Sequence, residues 1–128
     1  MNLLLDTHTF LWFANDDPQL GAEAPRLIEE PGAEVAISVA SVWEISIKSA
    51  LKKLKLPEPV ELFVPRQLTV NSIRAWPVEV THALRVALLP HHHNDPFDRL
   101  IIAQALVEDL TVVSRDRAFD SYGVRRVW

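Results

Sequence analysis

Short continuous apolar runs recur along this chain, separated by longer stretches in which apolar residues return at helical spacing. That rhythm predicts buried strands alternating with amphipathic helices. Residues 2–5 are apolar and end at a polar break, which predicts a strand, with a helix over 9–15 behind it. Asp17-Pro18 has the form of an N-cap followed by proline in the first turn, opening a second helix that Pro31-Gly32 stops. Residues 35–39 are β-branched and buried in character, and 40–53 then show helical spacing, ended by Pro57-Glu58-Pro59. A helix over 60–68 follows, its end blurred by Pro65, then a strand over 73–78 and a helix over 80–89 stopped by Pro90. The strongest amphipathic stretch is 97–110. Strands over 111–114 and 124–127 complete the set, with no internal repeat and no low-complexity segment.

Strands alternating with helices favour an α/β fold, a parallel central sheet with helices on both faces in three layers. In such sheets ligands gather beyond the carboxyl ends of the strands. Four acids stand where strands or buried helices meet loops: Asp6 after Leu3-Leu4-Leu5, Glu44 in Ser-Val-Trp-Glu, Asp98 in Asp-Pro-Phe-Asp, and Asp116 after Val112-Val113-Ser114-Arg115. Acids gathered at one sheet edge repel one another unless a divalent ion, which takes oxygen ligands, neutralises them. The pattern therefore predicts a metal-dependent phosphodiesterase, since phosphodiester hydrolysis needs an activated water and positive charge beside the phosphate oxygens.

Composition narrows the setting. At 128 residues, 48% hydrophobic and 23% charged, the chain suffices for one packed core, a single domain over 1–128. No apolar run reaches the roughly 20 residues of a membrane span, and Asp6 interrupts the apolar start before a signal-peptide core forms. The expectation is a soluble cytoplasmic protein. With no cysteine, any metal must sit on oxygen or imidazole. The net charge of -4 argues against a broad basic surface for nucleic acid, yet setting the four candidate ligands aside leaves 13 acids against 13 Lys and Arg.

Three segments together resemble a known family: Leu3-Leu4-Leu5-Asp6-Thr7, then Ser38-Val39-Ala40-Ser41-Val42-Trp43-Glu44-Ile45, then Asp95-Pro96-Phe97-Asp98-Arg99-Leu100-Ile101-Ile102-Ala103-Gln104-Ala105 with Val113-Ser114-Arg115-Asp116 after it. In this order and at this length the chain resembles the PIN-domain ribonucleases, and within them the VapC-type toxins of bacterial toxin–antitoxin pairs. The resemblance implies Mg²⁺ or Mn²⁺ held by Asp6, Glu44, Asp98 and Asp116, with one or two ions bridged by Asp6 and Asp98. It further implies RNA cleavage by metal-activated water, leaving a 5′-phosphate and a 3′-hydroxyl, and an antitoxin that blocks the site. Thr7 and Ser114, beside the ligands, are candidates to hold that water or a phosphate oxygen.

Each residue also has a plainer use. Asp6 in isolation is a helix cap, and Glu44 a partner for Lys48 one turn on. Asp95 serves equally as a metal ligand or as the cap of the helix carrying Asp98. His91-His92-His93 reads as a solvated loop at the cleft mouth rather than a transition-metal site, because adjacent histidines point in different directions; contact with RNA is their alternative use. Lys48, Lys52, Lys53 and Lys55 read as an exposed helix face, whereas Arg115 and Arg117 flank Asp116 and are placed to grip phosphates, with Lys48 a weaker candidate. Phe10, Trp12, Phe13 and Trp43 are expected chiefly in the core, with part of the first helix left exposed for a homodimer or an antitoxin helix. Two other classes compete: a phosphotransferase with Asp6 as nucleophile, which lacks the second Asp where His8 stands, and a non-catalytic RNA or protein interaction module.

Overall fold

The computed structural model describes residues 1–128. Its strands are β1 (Asn2–Leu5), β2 (Glu34–Ser38), β3 (Ile73–Trp76), β4 (Thr111–Val113) and β5 (Arg125–Val127). The helices are α1 (Thr7–Ala14), α2 (Glu23–Ile28), α3 (Val39–Ala50), α4 (Val60–Val70), α5 (Val80–Val86) and α6 (Pro96–Glu108), with 3-10 turns at Pro18–Leu20 and Arg117–Tyr122. All strands pair in parallel in the order β3-β2-β1-β4-β5. The α/β class expected from the alternation of elements is the observed one.

Side chains alternate across a strand, so β1 faces two ways at once. Leu3 and Leu5 join Val35, Ile37 and Val113 on one face, packed on Phe10, Ile45 and Phe63 of α1, α3 and α4. Leu4 joins Ala36 and Val112 on the other, against Ile101, Ile102 and Ala105 of α6 and Phe119. Burying each leucine-sized side chain contributes roughly 1.5–3 kcal/mol. That gain offsets the cost of holding acids out of water at the sheet's edge. From β1 the chain builds toward β2 and β3, and it later returns to the opposite side of β1 with β4. The reversal lies between the carboxyl ends of β1 and β4, the place where such sheets bind ligands.

Several boundaries differ from expectation for local reasons. Asp17 does cap, accepting from the Gln19 amide at 2.9 Å, but it opens only the 3-10 turn. Gly21 at φ +76° breaks the path, and α2 begins separately at Glu23. Helix α3 stops at Ala50 rather than residue 53, and Lys52 takes a left-handed φ of +58°. Helix α4 runs through Pro65 to Val70. Strand β3 ends at Trp76 before Pro77, which has no amide proton for the ladder, and α5 is shorter than expected, closing at Val86.

Candidate metal centre

Asp6 lies one residue past β1, where the chain turns into α1. Its Oδ1 accepts from the Thr9 amide at 2.9 Å, the cap interaction, and its Oδ2 accepts from the Ser114 hydroxyl at 2.5 Å. The Ser114 oxygen in turn accepts from the Asp116 amide at 3.0 Å, so the exits of β1 and β4 are tied together. The Asp6 amide donates to the Val113 carbonyl at 3.2 Å and the Thr9 hydroxyl to the same carbonyl at 2.9 Å. Asp6 is thus a cap that also lines one cleft with Asp116 and acts on the Asp98 carboxyl.

Asp98 sits in the first turn of α6, and Asp116 caps the 3-10 turn after β4. A side chain not expected in the cluster joins them. His93 Nε2 lies 2.8 Å from Asp98 Oδ2 and 3.8 Å from Asp116 Oδ2. The Asp95 amide donates to His93 Nδ1 at 3.3 Å, which assigns the ring proton to Nε2, facing the acids. One ligand atom from each of His93, Asp98 and Asp116 lies within 4.8 Å of the others. The loop reading holds for His91 and His92, which are exposed, and gives way for His93.

The charge in this pocket is not balanced by the protein. Burial pushes the Asp98 carboxyl up to about 7, repulsion from Asp95 adds to it, the His93 ring pulls it down, and Asp6 pushes it up again. Glu44 stands beside the cluster, and both of its oxygens are engaged. Oε1 accepts from the Thr7 hydroxyl at 2.6 Å, and Oε2 from Lys48 at 2.5 Å. The Thr7 oxygen also lies 2.9 Å from the Ser41 hydroxyl. Lys48 is held charged chiefly by its hydrogen bond to Glu44, with Asp95 and Asp98 acting on it as well. So the Lys48 pairing occurs, but with a buried Glu44 rather than as a surface ornament. Asp95 accepts from the Phe97 and Asp98 amides at 2.8 and 3.2 Å, the cap arrangement.

The donor set is one of carboxylate oxygens with a single imidazole, and it contains no sulfur. Hard divalent ions such as Mg²⁺ or Mn²⁺ suit such oxygens, and a carboxyl that retains its proton near neutrality marks unmet need for positive charge. The residues present fit such an ion.

The PIN domain family profile matches residues 3–124. The chain belongs to the PIN-domain family. Ribonuclease VapC22 of Mycobacterium tuberculosis is 28% identical over 120 residues, covering 94% of this chain and 91% of its own. Among solved structures, the fold is similar to VapBC2 from Rickettsia felis bound to a promoter DNA fragment, with a TM-score of 0.74, 17% identity, and 99% and 98% of the two chains covered. It is also similar to DNA-bound VapBC from Salmonella typhimurium, with a TM-score of 0.65, 19% identity, and 99% and 97% covered.

Around the acids of this PIN domain the cations divide into three kinds. Arg115 and Arg117 are exposed, and the Arg115 guanidinium stacks on the Trp12 ring at 4.6 Å from its centroid. Lys52, Lys53 and Lys55 are exposed, as expected. Arg99 is buried and turned away from the acids, donating to the carbonyls of Pro90, Val86 and Leu89 at 2.9, 3.1 and 3.3 Å. It organises the loop that delivers His93.

The aromatic assignment needs one correction. Phe10 is fully buried and Trp12 and Phe13 pack partly against the core, but Trp43 is 61% exposed. Helix α3 buries Ala40, Ser41, Glu44 and Ile45, which turns position 43 outward, where it meets Phe97 edge-on at 5.4 Å. Trp43→Ser is expected to cost about 1 kcal/mol, the worth of an exposed aromatic pair, against the 3–5 kcal/mol of truncating a core Trp; urea unfolding distinguishes the two. Exposed apolar surface accordingly lies less on α1 than on α3, α4 and α5, including Val39, Leu62, Val80 and Leu84.

No helix of the protein is long and apolar enough to cross a membrane.

Proposed function

We propose that this PIN domain is a Mg²⁺- or Mn²⁺-dependent endoribonuclease and the toxin of a toxin–antitoxin pair, with Asp6, Asp98 and Asp116 as the principal metal ligands. The observation that carries the reading is the convergence of these three acids at one sheet edge, where Asp98 is held near a pKa of 7 by burial and like charge. A ribonuclease name on a relative aligned along 94% of the chain supports the reaction. Solved VapBC assemblies of the same fold support an antitoxin partner. A cytoplasmic setting and a homodimer accompany the proposal.

A divalent ion at these carboxylates supplies positive charge beside a phosphodiester and lowers the pKa of a water. The chain's own residues set the geometry. The Ser114 hydroxyl fixes the rotamer of Asp6, and Thr7 and Lys48 together hold Glu44 against the cluster, one proton donor on each oxygen. Glu44 is the fourth candidate ligand, fixed in orientation as Asp6 is. Arg117 and the Trp12-stacked Arg115 are exposed on either side of Asp116 in the chain, placed to take phosphates on either side of the cut. Use of Asp6 as a phosphotransfer nucleophile is disfavoured, because His8 stands where that chemistry wants a second Asp.

The reading is tested by incubating purified protein with single-stranded RNA and Mg²⁺ or Mn²⁺, then adding EDTA. Cutting is expected to stop with the chelator, to return with excess metal, and to leave 5′-phosphate ends. Cutting that continues in EDTA overturns it.

A further inference from the structure

At the acids lies a cleft of about 320 Å³ whose lining is only partly carboxylate. It is lined by Asp6 and Asp116 together with His8, Trp12 and Arg115. His8 and Trp12 are one turn apart on α1, with ring centroids 5.7 Å apart and planes tilted by 34°. Trp128 meets the Trp12 ring edge-on at 6.0 Å and fixes its orientation. The exposed Arg115 guanidinium lies over the same indole. The result is a stacked aromatic and cationic platform at a cleft that two of the candidate ligands also line.

We propose that this platform is a nucleobase subsite: the unpaired base next to the scissile phosphate extends the stack of Arg115 on Trp12, while the edge of Arg115 donates to the adjoining phosphate. The inference rests on the ribonuclease reading and adds where the substrate strand is held. Indole and guanidinium planes both accept bases by stacking, which requires a base splayed out of any duplex, so the substrate class is single-stranded or looped RNA. His8, exposed at the rim, presents ring nitrogens to the edge of a stacked base and is the group placed to discriminate among bases. A second Arg–Trp stack, Arg74 over Trp76 at 4.8 Å, lies on edge strand β3 and lines none of this cleft, so it serves as an internal control.

The test uses binding rather than cutting. In an Asp98→Asn background with Mg²⁺, the indole N–H resonances are followed by NMR while two short single strands of equal charge are added, one of ordinary RNA and one with its bases removed. The Trp12 signal, identified by its loss in Trp12→Phe, is expected to shift with the first strand only, and the Trp76 signal with neither. Base-bearing RNA should bind more tightly than the abasic strand by roughly tenfold. Trp12→Leu should erase most of that preference, Trp12→Phe should keep most of it, and Arg115→Ala should weaken both strands. Equal affinity for the two strands, or a Trp12 signal indifferent to RNA, overturns the subsite and leaves the nuclease reading standing. Failure of both strands to bind overturns both readings. Should Trp12→Leu not fold, the comparison of the two strands on the parent protein, with Trp12→Phe and Arg115→Ala, decides the matter alone.

Discussion

Asp98→Asn is expected to reduce RNA cutting by at least about 100-fold and, at the same time, to make the metal-free protein more stable at neutral and alkaline pH. Losing even an outer partner of a metal ligand commonly costs 10–100-fold, and here a principal ligand is lost. The gain in stability has the opposite origin. Asp98 has its carboxyl raised from 3.8 to about 7 in the folded chain, mainly by burial and then by Asp95. Between those values the folded state binds more protons than the unfolded one, so stability falls as pH rises through this window and is lowest above it. A shift of this size corresponds to on the order of 2–4 kcal/mol, the lower end allowing for the share carried by His93. The amide of Asn keeps an acceptor for His93 without the charge. Wild type and variant should therefore have similar stability near pH 4 and diverge toward pH 8. Saturating Mg²⁺ or Mn²⁺ should narrow the gap by stabilising the wild type; ligand at 100 times its dissociation constant contributes about 2.7 kcal/mol. The measurement is urea unfolding across pH with and without metal. Parallel curves for the two proteins would show that Asp98 is not under the electrostatic stress described.

The parts of this centre that were legible in the sequence are those in which one residue type has one local use. Leu3-Leu4-Leu5 and Val112-Val113 are continuous apolar runs because both faces of their strands are covered, and each is followed at once by a polar residue at the sheet's carboxyl edge. Asp6 and Asp116 could thus be placed from order alone. His93 could not. Three consecutive histidines carry no direction, and the one that reaches Asp98 is selected by the Asp95 amide on its Nδ1 and by the carbonyls gathered around Arg99, all tertiary features. Trp43 failed for another reason. Its bulk suggests the core, but the helical phase of α3 commits the inward positions to Ala40, Ser41, Glu44 and Ile45, which leaves position 43 outside. Glu44 was readable as a buried acid but not as one satisfied on both oxygens, since Thr7 is distant in sequence. Between the first two strands, Gly21 shows how a single left-handed residue turns one expected helix into a 3-10 turn and a separate α2.

Arg99→Met is expected to destabilise the fold by about 3–5 kcal/mol, far more than loss of any exposed arginine on this chain. Arg99 is 7% exposed and its charge is met by carbonyl oxygens rather than by an acid: Pro90, Val86 and Leu89, with the Tyr122 hydroxyl at 3.4 Å and the His93 carbonyl at 3.5 Å. Val86 closes α5, so the guanidinium also sits at the negative end of that helix. Methionine roughly preserves the apolar stem and leaves the Pro90 and Leu89 carbonyls without this donor, each worth about 1–3 kcal/mol when buried and unpaired, though not additively, while the Val86 carbonyl keeps the Leu89 amide at 3.2 Å. Lysine should recover only part of the loss, because one ammonium cannot span carbonyls that the planar fork reaches together. The damage should also spread to the centre. Tyr122, which faces Arg99, accepts from the His92 amide at 3.0 Å, and the adjacent His93 supplies the proton facing Asp98. Hydrogen exchange at the His92 amide should therefore accelerate in both variants, more in Met than in Lys, even under conditions where each remains folded. A stable Arg99→Met protein with an unchanged His92 exchange rate would mean that the loop is held by its own backbone and that Arg99 only fills space.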